Sequence, residues 1–168
     1  RLDLPRQWDF QRYWFFHLAF GRLAYDLSTG DDVFLHHLAR RTNQEAAPAM
    51  LAAYRAASQV ISYLISQRMD DPNMYVWPEL DCAGPIDHNT VAPPGDCAED
   101  LDGFASEIES HLARLAQVPG LVQSLEYRTV RVDFAALAAL ARYHAAKSRA
   151  TGNLALFYAS GERHYLDA

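Results

Sequence analysis

Residues 50–65 read MLAAYRAASQVISYLI, and their larger apolar side chains recur at steps of three or four positions. That spacing places them on one face of a helix with 3.6 residues per turn. The helix is predicted to begin after a cap at Thr42 or Asn43 and to end near Arg68. Its predicted buried stripe consists of Met50, Leu51, Tyr54, Ser58, Ile61, Leu64 and Ile65.

The same spacing predicts two helices before this one. The first opens at Asp3-Leu4-Pro5, where a proline in the first turn loses no hydrogen bond, and runs to about Tyr25. Ser28-Thr29-Gly30 then breaks the pattern. Asp31 and Asp32 suit the positive N-terminal end of a second helix.

Two further helices are predicted downstream. One begins within Asp96–Asp100 and stops before Pro119, and the next is capped by Asp133 and is either interrupted or continued at Thr151-Gly152-Asn153. Strand-type alternation is confined to a weak hint at Tyr127–Val132. The prediction is an all-α fold, an irregular multi-helix bundle of about five to six helices in one domain over residues 1–168.

A long acidic segment, residues 69–98, separates the third and fourth predicted helices. Eleven acidic residues and no Lys or Arg lie between Met69 and Ser110, and the first thirty of these positions hold five prolines. Loops of this length within a compact domain are usually functional or disordered. Because this one is rich in aromatic residues, we predict an ordered loop. The net charge of −6, concentrated here, argues against nucleic acid as a partner.

The acidic segment is also the candidate ligand site. Carboxylates accept hydrogen bonds from sugar hydroxyls, while aromatic rings offer flat apolar faces, and two carboxylates can act as acid and base across a glycosidic bond. The alternative is that Trp77 packs on the helical body and the acids are solvated. The candidate residues are Tyr75, Trp77, Glu79, Asp81, Asp87, His88 and Asn89.

The two cysteines, Cys82 and Cys97, lie in the same segment. A disulfide would close a loop of about sixteen residues and contribute about 3 kcal/mol, and the alternative is two unpaired thiols. The cellular compartment stays open: the chain starts at Arg1 rather than Met, and a secreted or periplasmic location is as compatible with it as a cytoplasmic one.

Several kinds of site have no support in the sequence. No Glu is followed by His three positions later, as di-iron bundles require, and the adjacent His36 and His37 point to different helix faces. Phosphate-binding glycine loops and the Gly-x-Ser-x-Gly elbow are also missing. We therefore predict no metal site, no cofactor and no catalytic residue in this chain.

The N-terminal helix is apolar on every side. Its longest apolar run, Tyr13–Phe20, is too short to cross a membrane, so no membrane partner is predicted. A helix that is apolar all round must be buried all round, and a body of 168 residues would leave part of it uncovered. We predict that a neighbouring domain or subunit covers it. The candidate interface residues are Trp8, Tyr13, Trp14, Phe16 and Phe20.

Residues 13–34 read YWFFHLAFGRLAYDLSTGDDVF. This stretch resembles the helical region that follows the catalytic barrel in alpha-glucuronidase-like glycoside hydrolases, and the resemblance covers residues 8–60. It rests on Gly21-Arg22-Leu23-Ala24-Tyr25-Asp26, with Leu27 where the family pattern has proline. The resemblance implies a parent protein that degrades polysaccharide, whose catalytic carboxylates belong to a barrel absent from this chain. The last predicted element stops at Ala168 without a glycine, a proline or a closing basic turn, which also favours a fragment of a larger chain.

Three functional hypotheses follow. The first is a helical accessory or assembly domain of a carbohydrate-active protein, in contact with a catalytic domain of the same polypeptide or with another subunit. The second is a sugar-binding or hydrolytic unit that uses the acidic residues 74–89. The third is a stand-alone helical protein-interaction domain.

Overall fold

The structure is a computed structural model that describes residues 8–66 and 94–167. Those residues form six α-helices and two short 3₁₀ helices and contain no strand, so the predicted all-α class is confirmed. The helices are α1 (Asp9–Arg12), α2 (Trp14–Tyr25), α3 (Asp31–Arg41), α4 (Ala46–Ser66), α5 (Pro94–Ala116) and α6 (Leu125–Ser160), with η1 (Leu121–Gln123) and η2 (Arg163–Leu166).

The core lies where α4, α5 and α6 pack together, and α3 packs on α4. Large side chains fill its centre, and alanines line the helix faces between them. Alanine adds little bulk, which lets helix axes approach closely. The largest fully buried side chains are Leu38, Met50, Val60, Leu64, Leu101, Ile108 and Leu115. The buried alanines include Ala53, Ala56, Ala57, Ala105, Ala138, Ala141 and Ala145.

The boundary between α3 and α4 resolves the choice of cap. The amide of Ala46 donates to Asn43 Oδ1 at 2.7 Å, so Asn43 caps α4. The hydroxyl of Thr42 donates to the carbonyl of Leu38 at 2.8 Å and so belongs to the end of α3. Within the predicted buried stripe of α4, Ser58 is exposed, whereas the neighbouring Ala56 and Ala57 are buried.

The longest helix, α6, begins nine residues before the predicted position. Ser124 is its N-cap and accepts from the amide of Tyr127 at 3.1 Å, so the prediction of Asp133 as the cap is wrong. The weak strand hint at Tyr127–Val132 is helical for the same reason. Thr151-Gly152-Asn153 continues the helix, and Gly152 is buried within it.

Two other boundaries differ from the sequence pattern. The helix α5 begins at Pro94, so residues 94–98 of the predicted loop are helical, in keeping with a proline in the first turn. The predicted N-terminal helix is divided at Tyr13, whose backbone (φ −100°, ψ 29°) leaves the helical region between α1 and α2. The periodic pattern continues through Tyr13 and therefore gives no sign of this break.

Candidate interaction surface

The side of α2 that points away from the core is apolar. Five apolar residues make up what we call the outer face: Phe16, Phe20 and Leu23 on α2, Tyr13 at its N-cap and Leu27 in the turn that follows the helix. All five are exposed, from 38% at Leu23 to 88% at Leu27. The rings of Phe16 and Phe20 stack on each other, with centroids 6.2 Å apart and planes inclined by 19°.

Exposure extends beyond this face. Every residue from Phe20 to Ser28 is exposed, so the second half of α2 stands clear of the rest of the described chain. Tyr25 is 94% exposed, and Trp8 and Phe10 of α1 are each more than half exposed. The N-terminal segment therefore presents several large apolar side chains that the described part of the chain leaves uncovered.

A short ladder of aromatic rings holds the first half of α2 to the core. Phe15 is the one fully buried residue of α2. Its ring lies 6.0 Å from that of Phe34 on α3 and 4.2 Å from that of Tyr54 on α4. Tyr54 in turn meets Phe134 of α6 edge-on, with centroids 4.9 Å apart. These contacts connect the N-terminal end of α2 directly to α3 and α4, and through Tyr54 to α6.

A buried hydrogen bond reinforces that attachment. The indole Nε1–H of Trp14 donates to Glu126 Oε1 at 2.7 Å, and Glu126, in the first turn of α6, is 5% exposed. The guanidinium of Arg41 lies over the Trp14 ring, 4.1 Å from its centroid. Of the predicted interface residues, Trp14 is therefore mainly a structural contact within the chain.

An ion pair fixes the short helix α1. The guanidinium of Arg12 donates to both carboxylate oxygens of Asp133, with Nε 3.3 Å from Oδ2. This hydrogen bonding raises the pKa of Arg12, an effect that partial burial opposes. Asp133, predicted as a helix cap, instead holds α1 to the third turn of α6.

The turn after α2 is held by side-chain hydrogen bonds. Asp26 Oδ1 accepts from the amide of Ser28 at 2.9 Å and from its hydroxyl at 2.6 Å, and both bonds lower the pKa of Asp26. The hydroxyl of Thr29 donates to the carbonyl of Asp26 at 2.7 Å. This arrangement closes the turn without the proline of the family pattern and leaves Leu27 pointing to the surface.

Positive charge gathers on α3 beside α2. Burial lowers the pKa of His37, and the nearby positive groups His36, Arg22, Arg40 and Arg41 lower it further. This shift favours the neutral form of His37.

A separate polar network lies between α5 and α6. Arg142 donates to Glu109, with its Nη2 2.6 Å from Oε2, and approaches Asp102 at 3.5 Å. Arg149 also pairs with Asp102. These charged side chains lie along the exposed edge of the apolar contact between α5 and α6. Deeper in α6, burial lowers the pKa of His144, and the charge of Lys147 adds to that shift.

The predicted ligand residues, all between 74 and 89, lie outside the described residues, and Cys82 lies there too. The sugar site and the disulfide with Cys97 stay predictions. Within residues 8–66 and 94–167, no three His, Cys, Asp or Glu side chains are grouped as a metal would require. None of the helices in this part of the chain is long and apolar enough to cross a membrane.

Of the predicted interface residues, Trp8, Tyr13, Phe16 and Phe20 are exposed together, whereas Trp14 turns inward. The partners of the inward side, Glu126 and Asp133, were not foreseen, because each lies more than a hundred residues from its partner in the sequence. A local sequence pattern cannot predict a contact between residues that lie so far apart in the sequence.

No protein-family model matches the chain, and neither a curated protein nor a solved structure matches it significantly.

Proposed function

We propose that this chain is a helical assembly domain, and that α1 and α2 pack against the surface of another folded protein unit. The observation that carries the proposal is the exposure of the outer face, above all Phe16 and Phe20, at 62% and 67%. Monomeric proteins seldom expose contiguous apolar patches larger than a few hundred Å², and larger ones mark interaction sites.

The outer face is also well prepared for a partner. The hydrogen bond from Trp14 to Glu126 and the ion pair between Arg12 and Asp133 fix the first half of the segment to α6. A surface that is already ordered loses less conformational entropy when it binds. Aromatic residues are enriched in the buried centres of protein interfaces, which supports the same proposal.

The context we propose is a carbohydrate-active protein with a separate catalytic barrel. Its support is the resemblance of residues 13–34 to the helical region of alpha-glucuronidase-like glycoside hydrolases. In that context the domain supplies packing and assembly, and the chemistry belongs to another part of the assembly.

Site-specific photo-crosslinking tests the assembly function. Two variants carry benzoylphenylalanine in place of Phe16 or Phe20, and a third carries it in place of Tyr143, an exposed residue of α6. All three are expressed in the cells in which the protein occurs naturally. We expect positions 16 and 20 to give one defined product, identified by mass spectrometry, and position 143 to lack it. Equal labelling at all three positions, or none at 16 and 20, would refute the proposal.

A further inference from the structure

We infer that a group of basic side chains on α2 and α3 binds a doubly charged oxyanion, the phosphate group of a small solute. We call this group the basic cluster, and it consists of Arg22 of α2 and His36, His37, Arg40 and Arg41 of α3. The cluster uses no residue of the outer face, so the inference goes beyond the proposed assembly function and does not depend on it.

The members of the basic cluster lie close enough to act on one another. The rings of His36 and His37 have centroids 5.7 Å apart. His37 and Arg41 are four positions apart on α3 and therefore neighbours on its surface, and the same spacing relates His36 to Arg40. Burial is the main cause of the lowered pKa of His37, and the charges of the other four members lower it further. All four therefore act on the His37 ring.

Arg41 is exposed at the surface and yet held in a defined position. Its guanidinium lies over the ring of Trp14, 4.1 Å from the centroid, and that indole is fixed by its hydrogen bond of 2.7 Å to Glu126. A guanidinium packed on an aromatic ring keeps N–H groups available, and their forked geometry matches an oxyanion in a bidentate contact. Arg41 is therefore a donor that is already ordered before an anion arrives.

The fold supplies no counter-charge to this cluster. Within residues 8–66 and 94–167, the three arginines of the cluster form no ion pair. Like charges that are neighbours on a helix surface destabilise it, so the cluster is unfavourable for the free chain. An anion bound here would remove that repulsion. Four other arginines of the described chain do pair with a carboxylate: Arg12, Arg55, Arg142 and Arg149.

The end of α3 accounts for only part of the cluster. Arg40 and Arg41 lie in the last turn of α3, where cations interact favourably with the helix dipole. Arg22 and His36 lie outside that turn, so the dipole does not explain them. The next helix, α4, begins at Ala46, and its N-terminal end adds positive potential beside the end of α3.

The number of donors favours a phosphate group over a carboxylate. A single bidentate arginine already satisfies a carboxylate. The basic cluster instead offers three arginines and two histidines from two helices, and its arginines and His36 are all exposed. A phosphate group carries close to two negative charges at neutral pH and three strong acceptor oxygens, which matches this larger set.

The histidines link anion binding to pH. A negative charge beside His37 favours its protonated form, so a bound anion should raise the pKa of His37. By the same linkage, the anion should bind more tightly as the pH falls and the imidazole gains its proton. The charged groups that act on His37 are Arg22 from α2 and His36, Arg40 and Arg41 from α3.

An NMR titration of the full chain with inorganic phosphate is the first test. The imidazole signals are followed while sodium chloride keeps the ionic strength constant. We expect saturable shifts at His36 and His37 with a dissociation constant on the order of 1 mM, and roughly tenfold weaker binding of acetate. Shifts that do not saturate, or equal responses to phosphate and acetate, would overturn the inference.

Matched variants separate a defined site from diffuse positive charge. Arg41→Lys keeps the charge but loses the forked donors, so phosphate affinity should fall about tenfold. Arg22→Gln, at an exposed position of α2, should weaken binding about fivefold and serves as a second variant if Arg41→Lys folds poorly. Arg163→Gln, at an exposed position of η2, should have no effect. Unchanged affinity in both cluster variants, or an equal loss in Arg163→Gln, would contradict the site.

Sulfate isolates the contribution of the histidines, because its charge stays constant over the pH range in which they titrate. Its affinity should rise about fivefold between about pH 7.5 and pH 5.5. The double variant His36→Gln/His37→Gln should abolish this dependence. A wild-type affinity that does not change with pH would remove the histidines from the site.

Discussion

Helices α2 and α5 differ in where they place their large apolar side chains. Helix α5 buries them in the core, whereas α2 exposes several of them at the surface. In α5 the large fully buried side chains are Leu101, Ile108 and Leu115, while two of its acidic residues, Asp102 and Glu109, pair with arginines of α6. In α2 the exposed side carries Phe16 and Phe20, and the inward side makes a buried hydrogen bond through Trp14.

The difference shows that the two helices are shaped by different requirements. The sequence of α5 is explained by the stability of this chain, because burying its apolar side contributes directly to folding. The outer face of α2 contributes little to that stability, since its rings stay in water. We propose that a contact outside the described residues accounts for its composition. The predictions below test this contrast, from the largest expected effect to the smallest.

The largest effect is expected from truncating a core side chain of α5. Ile108→Ala should lower the free energy of unfolding by about 3 kcal/mol, because Ile108 is fully buried and its loss leaves a cavity. Phe20→Ala removes a larger side chain from α2, yet it should cost less than about 0.5 kcal/mol when the chain is monomeric. Urea unfolding followed by circular dichroism at low protein concentration measures both. Equal losses would abolish the contrast.

The next effect concerns the buried hydrogen bond of α2. Trp14→Phe keeps an aromatic ring but removes the donor to Glu126, and it should destabilise the chain by about 2 kcal/mol. Trp8→Phe is the matched control, since Trp8 is 59% exposed, and should cost less than about 0.5 kcal/mol. Hydrogen exchange of the α2 amides should accelerate in the first variant alone. A null result for Trp14→Phe would mean that this bond does not hold α2 in place.

A smaller effect is expected from the ion pair that holds α1. In a double-mutant cycle of Arg12→Gln and Asp133→Asn, the coupling free energy should be about 1 kcal/mol, since both side chains are about a quarter exposed and the contact is bidentate. The coupling should decrease in 1 M salt, which screens partly exposed charges. A coupling indistinguishable from zero at low salt would remove this pair from the attachment of α1.

The smallest effect is expected at the exposed edge of the α5–α6 contact. Hydrogen bonding to Arg142 lowers the pKa of Glu109 below its ordinary value of 4.5, so the pair stabilises the fold at higher pH and is lost as the pH falls through the lowered pKa. Arg142→Gln should return the pKa of Glu109 toward 4.5, as measured by NMR titration. An unchanged titration would show that the arginine does not influence Glu109 in solution.

The helices that the sequence predicts well are those whose apolar pattern coincides with burial. Leu101, Ile108 and Leu115 recur at steps of seven positions, a spacing that puts them on one side of a helix, and all three are fully buried. The start of α6 was missed because Asp133 has the residue type of a cap, whereas the actual cap, Ser124, precedes a stretch rich in β-branched residues. Tertiary packing overrides such local preferences.

The candidate surface was predicted in outline but not in detail. Spacing and composition indicate that the N-terminal helix is too apolar to be covered by a small body, and Phe16 and Phe20 are indeed exposed. The inward turn of Trp14 could not be foreseen, because it depends on Glu126, 112 residues away. The acidic loop, whose candidate residues lie outside the described part of the chain, stays a prediction.

The uninterrupted course of α6 has a structural consequence. Its 36 residues form one helix that spans about 54 Å. Trp14 and Arg12 bind to residues in its first three turns, whereas Tyr158 lies near its C-terminal end. The attachment site of α2 and the surface around Tyr158 therefore belong to one continuous helix, although they lie close to its opposite ends.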